Sequence, residues 1–330
     1  MKRVLFICTV LSVVLLSGKC SNADEAALLE IKVKSSLDDS LQPSMFWAPE
    51  SAKKQKTPLF IFLHSWSGNY KQNNASWFGQ AVDKGWIFLH PDFRGPNYTP
   101  KACGSKFARR DILDAIDYVI KHYQVDESRI YLAGSSGGGH MTMQMAAYFP
   151  ERFTAASAWV GISDIAEWYQ FHTPSGKPGN YAQHILRALG SKPGTSSAID
   201  ADYKDRSPLF HLHQVGKLPL EMSAGVKDGK TGSVPIQHTL KAFNVVAKAN
   251  GFEQVSDAEI DQLWKNEKLD APRKADQERD PILGRDIKLR RVAGPARVTI
   301  FEGGHEGLPV PAVAWLEKHV RKTKTYPIKP

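Results

Sequence analysis

The sequence Ile130-Tyr131-Leu132-Ala133-Gly134-Ser135-Ser136-Gly137-Gly138 joins a short apolar run to a serine that is flanked by glycines. The apolar run predicts a buried strand, and the segment from Met141 to Tyr148 predicts a helix. Glycine lacks the Cβ atom that would collide with nearby backbone in a sharp turn between the two. The pattern therefore predicts a tight strand-to-helix turn that presents the Ser136 hydroxyl outside the sheet.

The amide of Gly137 lies at the start of the predicted helix, where an N–H has no intrahelical partner and can bind an oxyanion. A G-x-S-x-G sequence at such a junction is typical of the nucleophile elbow of serine hydrolases. A Gly-Ser stretch without this context is more often an ordinary loop. The strand and helix on either side favour the catalytic interpretation, with Ser136 as nucleophile and the Gly137 N–H as one oxyanion donor.

A serine hydroxyl is a weak nucleophile until an imidazole takes its proton, and the imidazole needs an acid that fixes its tautomer. In this motif class the chain order is serine, acid, histidine. His305 comes directly after the last predicted strand, in a glycine-rich loop, and is the expected base. Asp228 follows an earlier strand and is the expected acid, although an aspartate before glycine is also common in turns. Asp164 is the main alternative, and Asp200 and Asp202 are weaker ones because they lie deep in an insertion.

The second oxyanion donor is expected in the loop His64-Ser65-Trp66-Ser67-Gly68, which follows the apolar run from Pro58 to Leu63. The backbone N–H of Ser65 or of Trp66 is the candidate donor, since such loops supply a main-chain amide. The side chain of His64 is expected only to shape the loop. The sequence does not choose between the two amides.

Apolar runs alternate with segments of helical periodicity along most of the chain. Strands are predicted at 27–33, 44–48, 58–63, 86–90, 130–133, 153–160, 218–224 and 298–301, and helices at 77–84, 107–123, 141–148, 236–249 and 311–320. This order predicts an α/β fold of the α/β-hydrolase kind, a mostly parallel central sheet with helices on both faces and catalytic groups at the carboxyl ends of strands.

Two insertions interrupt the alternation. The segment 164–216 follows the strand after the predicted nucleophile and is expected to form a lid. The segment 251–295 is highly charged and is expected to be a surface elaboration. A hairpin over 287–297, with Gly294-Pro295 in its middle, is expected to extend the edge of the sheet.

The N-terminal segment 1–23 has two basic residues, an apolar run of 13 residues over 4–16, and then small and polar residues. This pattern predicts a signal peptide with cleavage after Ala23, because a membrane span needs about 20 apolar residues. A lipid anchor at Cys20 is the alternative, although a lysine just before it fits a lipoprotein site poorly. We expect a secreted or periplasmic mature chain, 24–330, that forms a single domain without a transmembrane span.

Composition narrows the chemistry further. Removal of segment 1–23 would leave Cys103 as the one cysteine, without an internal disulfide and without a nearby histidine, so a structural or surface thiol is expected. Neither C-x-x-C nor H-E-x-x-H occurs, and we predict no metal site and no cofactor. The formal net charge of +9 falls to +6 without the segment. Apart from basic runs at 53–56 and 321–329, the positive residues are spread along the chain. This argues against nucleic-acid binding and leaves attraction to acidic polysaccharide or cell envelope open.

On these residues the chain resembles the α/β-hydrolase superfamily, closest to prolyl oligopeptidase-type (peptidase S9-like) catalytic domains and secreted polysaccharide-ester esterases. The resemblance runs from about Leu59 to Val320 and includes scaffold segments around Pro91–Gly95, Arg110–Asp117 and Val125–Ile130. It implies that Arg94 and Asp111 brace the end of the sheet.

Two departures from the family bear on the substrate. Relatives usually have His-Gly where this chain has His64-Ser65, so the oxyanion loop is expected to be set differently. Fewer than 40 mature residues precede Leu59, which leaves no room for the N-terminal β-propeller that restricts the peptidases to short peptides.

The expected function is a serine hydrolase that forms an acyl-enzyme on Ser136 and releases it with water activated by His305. An ester is favoured, as a small molecule or an acylated polysaccharide, because an alkoxide leaves more easily than an amine. Trp66, Trp77 and Trp168 are either a stacking platform for a sugar or aryl group or ordinary core residues. A serine peptidase for short peptides is the alternative, and an inactive binding protein on the same fold is a third hypothesis. Acyl specificity and oligomeric state are not predicted.

Overall fold

A computed structural model describes residues 26–322. The predicted signal peptide over 1–23 and the alternative lipid anchor at Cys20 lie outside the described residues. The strands are β1 (Leu29–Lys34), β2 (Leu41–Trp47), β3 (Thr57–Leu63), β4 (Ile87–Pro91), β5 (Val125–Ser135), β6 (Ala155–Trp159), β7 (Leu220–Gly225), β8 (Arg279–Asp280), β9 (Arg285–Ala293) and β10 (Ala296–Phe301).

These strands form one sheet in the order β1-β2-β4-β3-β5-β6-β7-β10-β9-β8. The central run from β4 to β10 is parallel throughout. Strands β1 and β2 extend one edge in antiparallel pairing, and β9 and β8 extend the other. The predicted mostly parallel sheet of an α/β-hydrolase fold is confirmed.

Single helices alternate with strands from β3 to β6, and groups of helices follow β6 and β7. The helices are α1 (Ala75–Lys84), α2 (Lys106–His122), α3 (Gly137–Tyr148), α4 (Ile165–Phe171), α5 (Asn180–Leu189), α6 (Ser197–Asp205), α7 (Gln237–Ala249), α8 (Asp257–Asn266) and α9 (Pro309–Leu316). Helix α1 packs against α9, and α2 packs against α3. All seven residues of β3 are buried although successive side chains point to opposite faces. Both faces of the sheet centre are therefore covered, which explains why β3 reads as an unbroken apolar run.

The predicted lid segment contains α4, α5 and α6, which share a small apolar cluster of their own. Its fully buried members include Ile165 and Trp168 of α4 and Ile185 of α5. The cluster also takes in Trp66 and Val234 from the loops beneath. These helices therefore pack directly over the carboxyl end of the sheet.

The charged segment 251–295 contributes more to the core than a surface elaboration would. Leu263 of α8 and Leu289 of β9 are fully buried in the main apolar cluster. Strand β9 pairs antiparallel with β10, so the hairpin expected over 287–297 is present at the sheet edge. Most of its charged residues are exposed, although Arg291 and Asp276 form a buried ion pair, and overall composition therefore hides the apolar face of the segment.

Arg94 joins the first hairpin to α2. Its guanidinium donates to Asp111 of α2 and, at 2.8 Å, to Asp38 in the turn between β1 and β2. Arg94 and then Lys101 hold the pKa of the Asp38 carboxyl well below its usual range. This is the bracing role that the family resemblance implied for Arg94 and Asp111.

Acid is expected to destabilise the fold through three buried histidines. Burial lowers the pKa of His90 to about 3 and those of His140 and His238 to about 4, from 6.5. These histidines then bind protons in the unfolded chain at a pH where they stay neutral in the folded chain. The free energy of unfolding therefore decreases as pH falls from about 6.5 toward 4. Each histidine should cost about 2 kcal/mol at pH 5 relative to pH 8. Urea unfolding at pH 7.5 and pH 5.0 measures this loss.

A matched pair of variants isolates the histidine contribution. His238→Gln should reduce the pH-dependent loss by about 2 kcal/mol, whereas His122→Gln, at an exposed position, should leave it unchanged. An unfolding free energy that stays constant between pH 7.5 and 5.0 would contradict the prediction.

Candidate active site

Ser136 occupies a sharp turn between β5 and α3. Its φ of 59° and ψ of −118° are unusual for a residue with a side chain, and such strain persists where the surroundings enforce it. The Ser136 N–H donates to the Trp159 carbonyl at 2.9 Å. A Cβ atom at Gly134 would lie 2.3 Å from the Gly138 oxygen, so the elbow requires glycine there. The turn predicted from the sequence is present.

Asp228 lies after β7, is fully buried and faces His305. The His305 Nδ1 atom is 2.8 Å from Asp228 Oδ2. Asp228 Oδ1 also accepts the N–H groups of Gly229 at 2.9 Å and Val234 at 3.1 Å. These bonds fix the carboxylate, and the carboxylate in turn fixes the imidazole with Nε2 on the opposite side of the ring.

Ser136 and His305 line one cavity of about 340 Å³ at the carboxyl end of the sheet. Within residues 26–322 no hydrogen bond joins the Ser136 hydroxyl to the His305 ring. The His305 Nε2 atom instead lies 3.4 Å from Ser233 Oγ. The structure thus brings Asp228 and His305 into contact and brings Ser136 and His305 to the same cavity.

The other candidate acids have different partners. Asp164 caps α4, where its Oδ1 accepts the N–H of Ala166 at 2.8 Å. Asp200 accepts the Gly194 N–H, and Asp202 pairs with an arginine of the lid. In the described residues none of the three contacts His305.

The two amides proposed for the oxyanion loop differ in their partners. The Ser65 N–H donates to Gln72 Oε1 at 2.9 Å. Among residues 26–322 the Trp66 N–H has no hydrogen-bond acceptor. A Cβ atom at Gly137 would lie 2.3 Å from the Trp66 nitrogen, so this amide sits directly against the start of α3. The geometry favours Trp66 over Ser65 as the partner of the Gly137 amide.

Contacts on both sides hold this loop. The Ser65 carbonyl accepts the Gly68 N–H at 3.0 Å, and His64 Nδ1 lies 2.9 Å from the same oxygen. The Trp66 carbonyl accepts the N–H of buried Asn97 at 2.8 Å. In a planar trans peptide the N–H points away from the preceding carbonyl, so the fixed Ser65 oxygen also fixes the Trp66 N–H. Burial lowers the pKa of His64, which favours its neutral form.

The three tryptophans considered as a stacking platform have separate positions. Trp168 is fully buried and donates its Nε1–H to the Ser233 carbonyl at 2.7 Å, which makes it a core residue. Trp66 packs edge-on against Trp168 at 4.6 Å. Trp77 stacks on Phe62 at 4.3 Å, and its indole edge lines the cavity. A platform that includes Trp168 is therefore wrong, whereas Trp66 and Trp77 both line the cavity.

Sequence reasoning missed three residues at this site. Gln72 holds the Ser65 amide, Ser233 lies beside His305, and Tyr181 of α5 enters the cavity wall. None belongs to a motif, since each reaches the site from a loop or lid far from Ser136 in the chain. The one available signal was the polar run Gln72-Asn73-Asn74 just after the oxyanion loop.

Alternative chemistry finds little support in the described part of the chain. No group of three or more histidine, cysteine, aspartate or glutamate side chains in residues 26–322 is arranged to hold a metal ion. Burial raises the pKa of the Cys103 thiol to about 12, so it stays protonated and unreactive. Of the helices between residues 26 and 322, none has the length and apolarity to cross a membrane.

A family model decides the relationship. The model of the prolyl oligopeptidase family matches residues 71–256, more than half of the chain. The chain belongs to the prolyl oligopeptidase family. The matched region includes Ser136 and Asp228 and ends before His305. The resemblance inferred from the sequence is confirmed.

Relatives of this family member fall into two activity classes. Feruloyl esterase B of Thermothelomyces thermophilus is 27% identical over 173 residues, which cover 47% of this chain and 57% of that protein. Acylamino-acid-releasing enzyme 2 of Oryza sativa subsp. japonica is 29% identical over 151 residues, which cover 43% of this chain and 18% of that protein. This family member thus spans about half the length of the esterase and a fifth of the releasing enzyme.

Solved structures agree on the fold. An acylaminoacyl peptidase of Pyrococcus horikoshii superposes with a TM-score of 0.55 at 21% identity, and the match covers 69% of this chain and 36% of that chain. At this identity the similarity shows the α/β-hydrolase fold of this family member and leaves its substrate open.

Proposed function

We propose that this family member is a serine hydrolase that cleaves carboxylic esters through an acyl-enzyme on Ser136, with His305 as general base and Asp228 as the orienting acid. The observation that supports it most is the 2.8 Å contact of His305 with fully buried Asp228, beside the cavity that Ser136 lines. The three side chains follow the ends of β5, β7 and β10. This is the arrangement that nucleophilic catalysis by serine requires.

The mechanism follows from these positions. The Ser136 oxygen attacks the ester carbonyl carbon as its proton passes to His305 Nε2. Rotation about the Ser136 Cα–Cβ bond brings the hydroxyl toward the imidazole, since hydrogen bonds of this kind are often loose before substrate binds. The alcohol leaves with the proton from His305. Water then attacks the acyl-enzyme with the same base, and the carboxylic acid and free Ser136 result.

The oxyanion of the tetrahedral intermediate is expected to bind the N–H groups of Gly137 and Trp66. The first of these is at the N-terminus of α3, where the helix dipole also favours negative charge. Together they stabilise charge that develops only in the transition state, and loss of one such donor typically costs about 3 kcal/mol.

The cavity lining supports an ester over a peptide substrate. In the described structure its walls are aromatic or neutral polar, apart from His305 itself: Phe62, Ser65, Trp66, Ser67, Gln72, Asn74, Trp77, Ser135, Ser136, Tyr181 and Gly307. An acidic pair that would hold a peptide amino terminus is missing from this lining. Neutral walls suit an uncharged acyl or alcohol group. The relative named feruloyl esterase B shows that esterases occur among similar proteins.

Export is the second part of the proposal. The basic, apolar and small-residue order of segment 1–23 supports a signal peptide, with lipidation at Cys20 as the alternative. The mature chain 24–330 would then form a single domain, with the lid over 164–216 and the insertion over 251–295. An acyl group on a polysaccharide outside the cell is a fitting substrate for such an enzyme.

The two substrate classes are separated by one comparison. Purified chain is assayed with p-nitrophenyl acetate and with alanyl-proline p-nitroanilide, each with wild type and Ser136→Ala. We expect Ser136-dependent turnover of the ester, with the anilide at least 100-fold slower. An amine is a poorer leaving group than an alkoxide, and in the described part of the chain the cavity lining has no acidic pair to hold the amino terminus of the dipeptide. Equal turnover of the anilide would make the enzyme a peptidase, and no turnover of either would support the binding-protein hypothesis.

A further inference from the structure

The side chain of Gln72 accepts two hydrogen bonds from the oxyanion loop. It lies on the chain between that loop and α1 and lines the active-site cavity. Its Oε1 atom accepts the Ser65 N–H at 2.9 Å and the Ser65 hydroxyl at 2.7 Å. One carbonyl oxygen thus binds both polar hydrogens of Ser65.

Hydrogen bonds through Asn74 link the Gln72 side chain to β4. The Gln72 Nε2–H donates to Asn74 Oδ1 at 3.0 Å. The Asn74 amide nitrogen lies 3.1 Å from a ring nitrogen of His90 in β4. Because burial lowers the pKa of His90 to about 3, this ring is neutral and presents an acceptor nitrogen. The network Ser65, Gln72, Asn74 and His90 therefore connects the oxyanion loop to the sheet.

The contacts on Ser65 act on both of its flanking peptide groups. Gln72 binds its N–H, and the Gly68 N–H binds its carbonyl oxygen at 3.0 Å. Rotation of the backbone at Ser65 would break at least one of these bonds. The peptide that follows, whose N–H belongs to Trp66, is thereby held in one orientation. The Ser65 N–H is therefore already hydrogen-bonded to Gln72, whereas the Trp66 N–H lies beside Gly137.

We propose that Gln72 is a positioning residue of the oxyanion hole, which selects the Trp66 amide as donor by binding the Ser65 amide. This inference rests on the proposed function, since it assigns a role within the same site. Gln72 acts through Ser65 and has no contact with the reacting atoms. Its removal should therefore raise the barrier of the chemical step and leave ground-state binding of the ester nearly unchanged.

Gly68 provides an independent way to displace this side chain. A Cβ atom at Gly68 would lie 2.1 Å from Gln72 Oε1, a distance that no real contact allows. Gln72 Cδ would be at 3.1 Å, and the nearest atom outside Gln72, His64 Cβ, would be at 3.4 Å, an ordinary contact. Gly68 is not among the glycines with positive φ, so alanine there meets no backbone strain. Gly68→Ala should thus push Gln72 away and change no hydrogen-bonding group.

The first test replaces Gln72 by methionine, which keeps the length of the side chain and removes the acceptor. We expect kcat for p-nitrophenyl acetate to fall about 100-fold, as for loss of an oxyanion donor, with KM within about 3-fold of wild type. Gln80→Met in α1 is the matched control, because Gln80 makes no side-chain hydrogen bond in residues 26–322. It should keep the wild-type kcat.

A second readout separates positioning from a general loss of packing. The ketone 1,1,1-trifluoro-4-phenylbutan-2-one adds to the catalytic serine to form a hemiketal, and the negatively charged oxygen of this adduct binds in the oxyanion hole. Its inhibition constant should weaken in Gln72→Met by about the same factor as kcat falls, since both report the tetrahedral state. Inhibition by the ground-state analogue 4-phenylbutan-2-one should change by less than about 3-fold.

The third test is a double-mutant cycle, which does not require that methionine packs at position 72 as glutamine does. Gly68→Ala and Gln72→Ala should each lower kcat, and the double variant should be no slower than Gln72→Ala, because the colliding atom is then gone. Losses that multiply in the double variant would overturn the proposal. So would a Gln72→Met enzyme with wild-type kcat, or one in which KM alone rises.

Ser136→Ala is measured beside these variants, so that the two proposals fail in different ways. If Ser136→Ala keeps its activity, the proposed function fails and the Gln72 results have no bearing on it. If turnover depends on Ser136 but not on Gln72, the proposed function stands and this inference is wrong.

Discussion

Ser136→Ala is expected to lower kcat for p-nitrophenyl acetate by about 10⁶, and His305→Ala should lower it about equally. Removal of the hydroxyl removes the atom that would form the acyl-enzyme. Removal of the imidazole leaves that hydroxyl protonated and without a general acid for the leaving alcohol. The residual rate comes from the oxyanion donors and from substrate binding, which neither substitution touches.

Kinetics of the double variant test whether the groups work as a unit. Ser136→Ala combined with His305→Ala should be no slower than either single variant, because each already abolishes the same step. Ser51→Ala, at an exposed serine in the short 3-10 helix Glu50–Lys53 between β2 and β3, is the matched control and should keep wild-type kcat. A fluorophosphonate should label wild type stoichiometrically and Ser136→Ala not at all. Retention of most activity in Ser136→Ala would end the assignment of this site.

Asp228→Asn is expected to lower kcat by about 10⁴. Asparagine keeps the shape of the side chain, and its Oδ1 can still accept the Gly229 and Val234 amides. The group that faces His305 Nδ1 becomes an NH₂ donor, which stabilises the tautomer with its proton on Nε2. A ring that already carries a proton on Nε2 cannot take the proton of Ser136.

Asp164→Asn is the matched control for this substitution. Asp164 caps α4 through the N–H groups of Ala166 and Glu167, and asparagine caps helices about as well as aspartate. We expect kcat within about 2-fold of wild type and little change in the unfolding midpoint. If the large loss followed Asp164→Asn and not Asp228→Asn, the acid would have been assigned to the wrong strand end.

Several features of this chain could be predicted from local pattern because their causes are local. The elbow depends on glycines that are adjacent in sequence to Ser136, and the apolar run of β3 follows directly from burial on both faces. The strand ends at Asp228 and His305 could be located for the same reason. Chain order then suggested that they meet, and the structure brings them within 2.8 Å.

The insertion over 251–295 shows where composition misleads. Its charged residues are numerous, yet Leu263 and Leu289 are fully buried and β9 joins the sheet. Overall charge averages over both faces of each element, and only the packing partner decides which face is covered. The same is true of Trp168, which is buried because helices of its own segment pack against it.

The α/β fold, the tight turn at Ser136, and the candidate acid and base could all be predicted from local patterns in the sequence. These depend on periodicity, on glycine next to serine, and on groups that follow strand ends. Which amide of the oxyanion loop has no acceptor within residues 26–322 depends instead on tertiary contacts. That choice depends on Gln72, which reaches back to Ser65 across a loop, and on Gly137, which lies against Trp66 from another element. Hydrogen-bond partners between separate loops leave no periodic trace in the sequence, because they depend on distances that exist only in the folded chain.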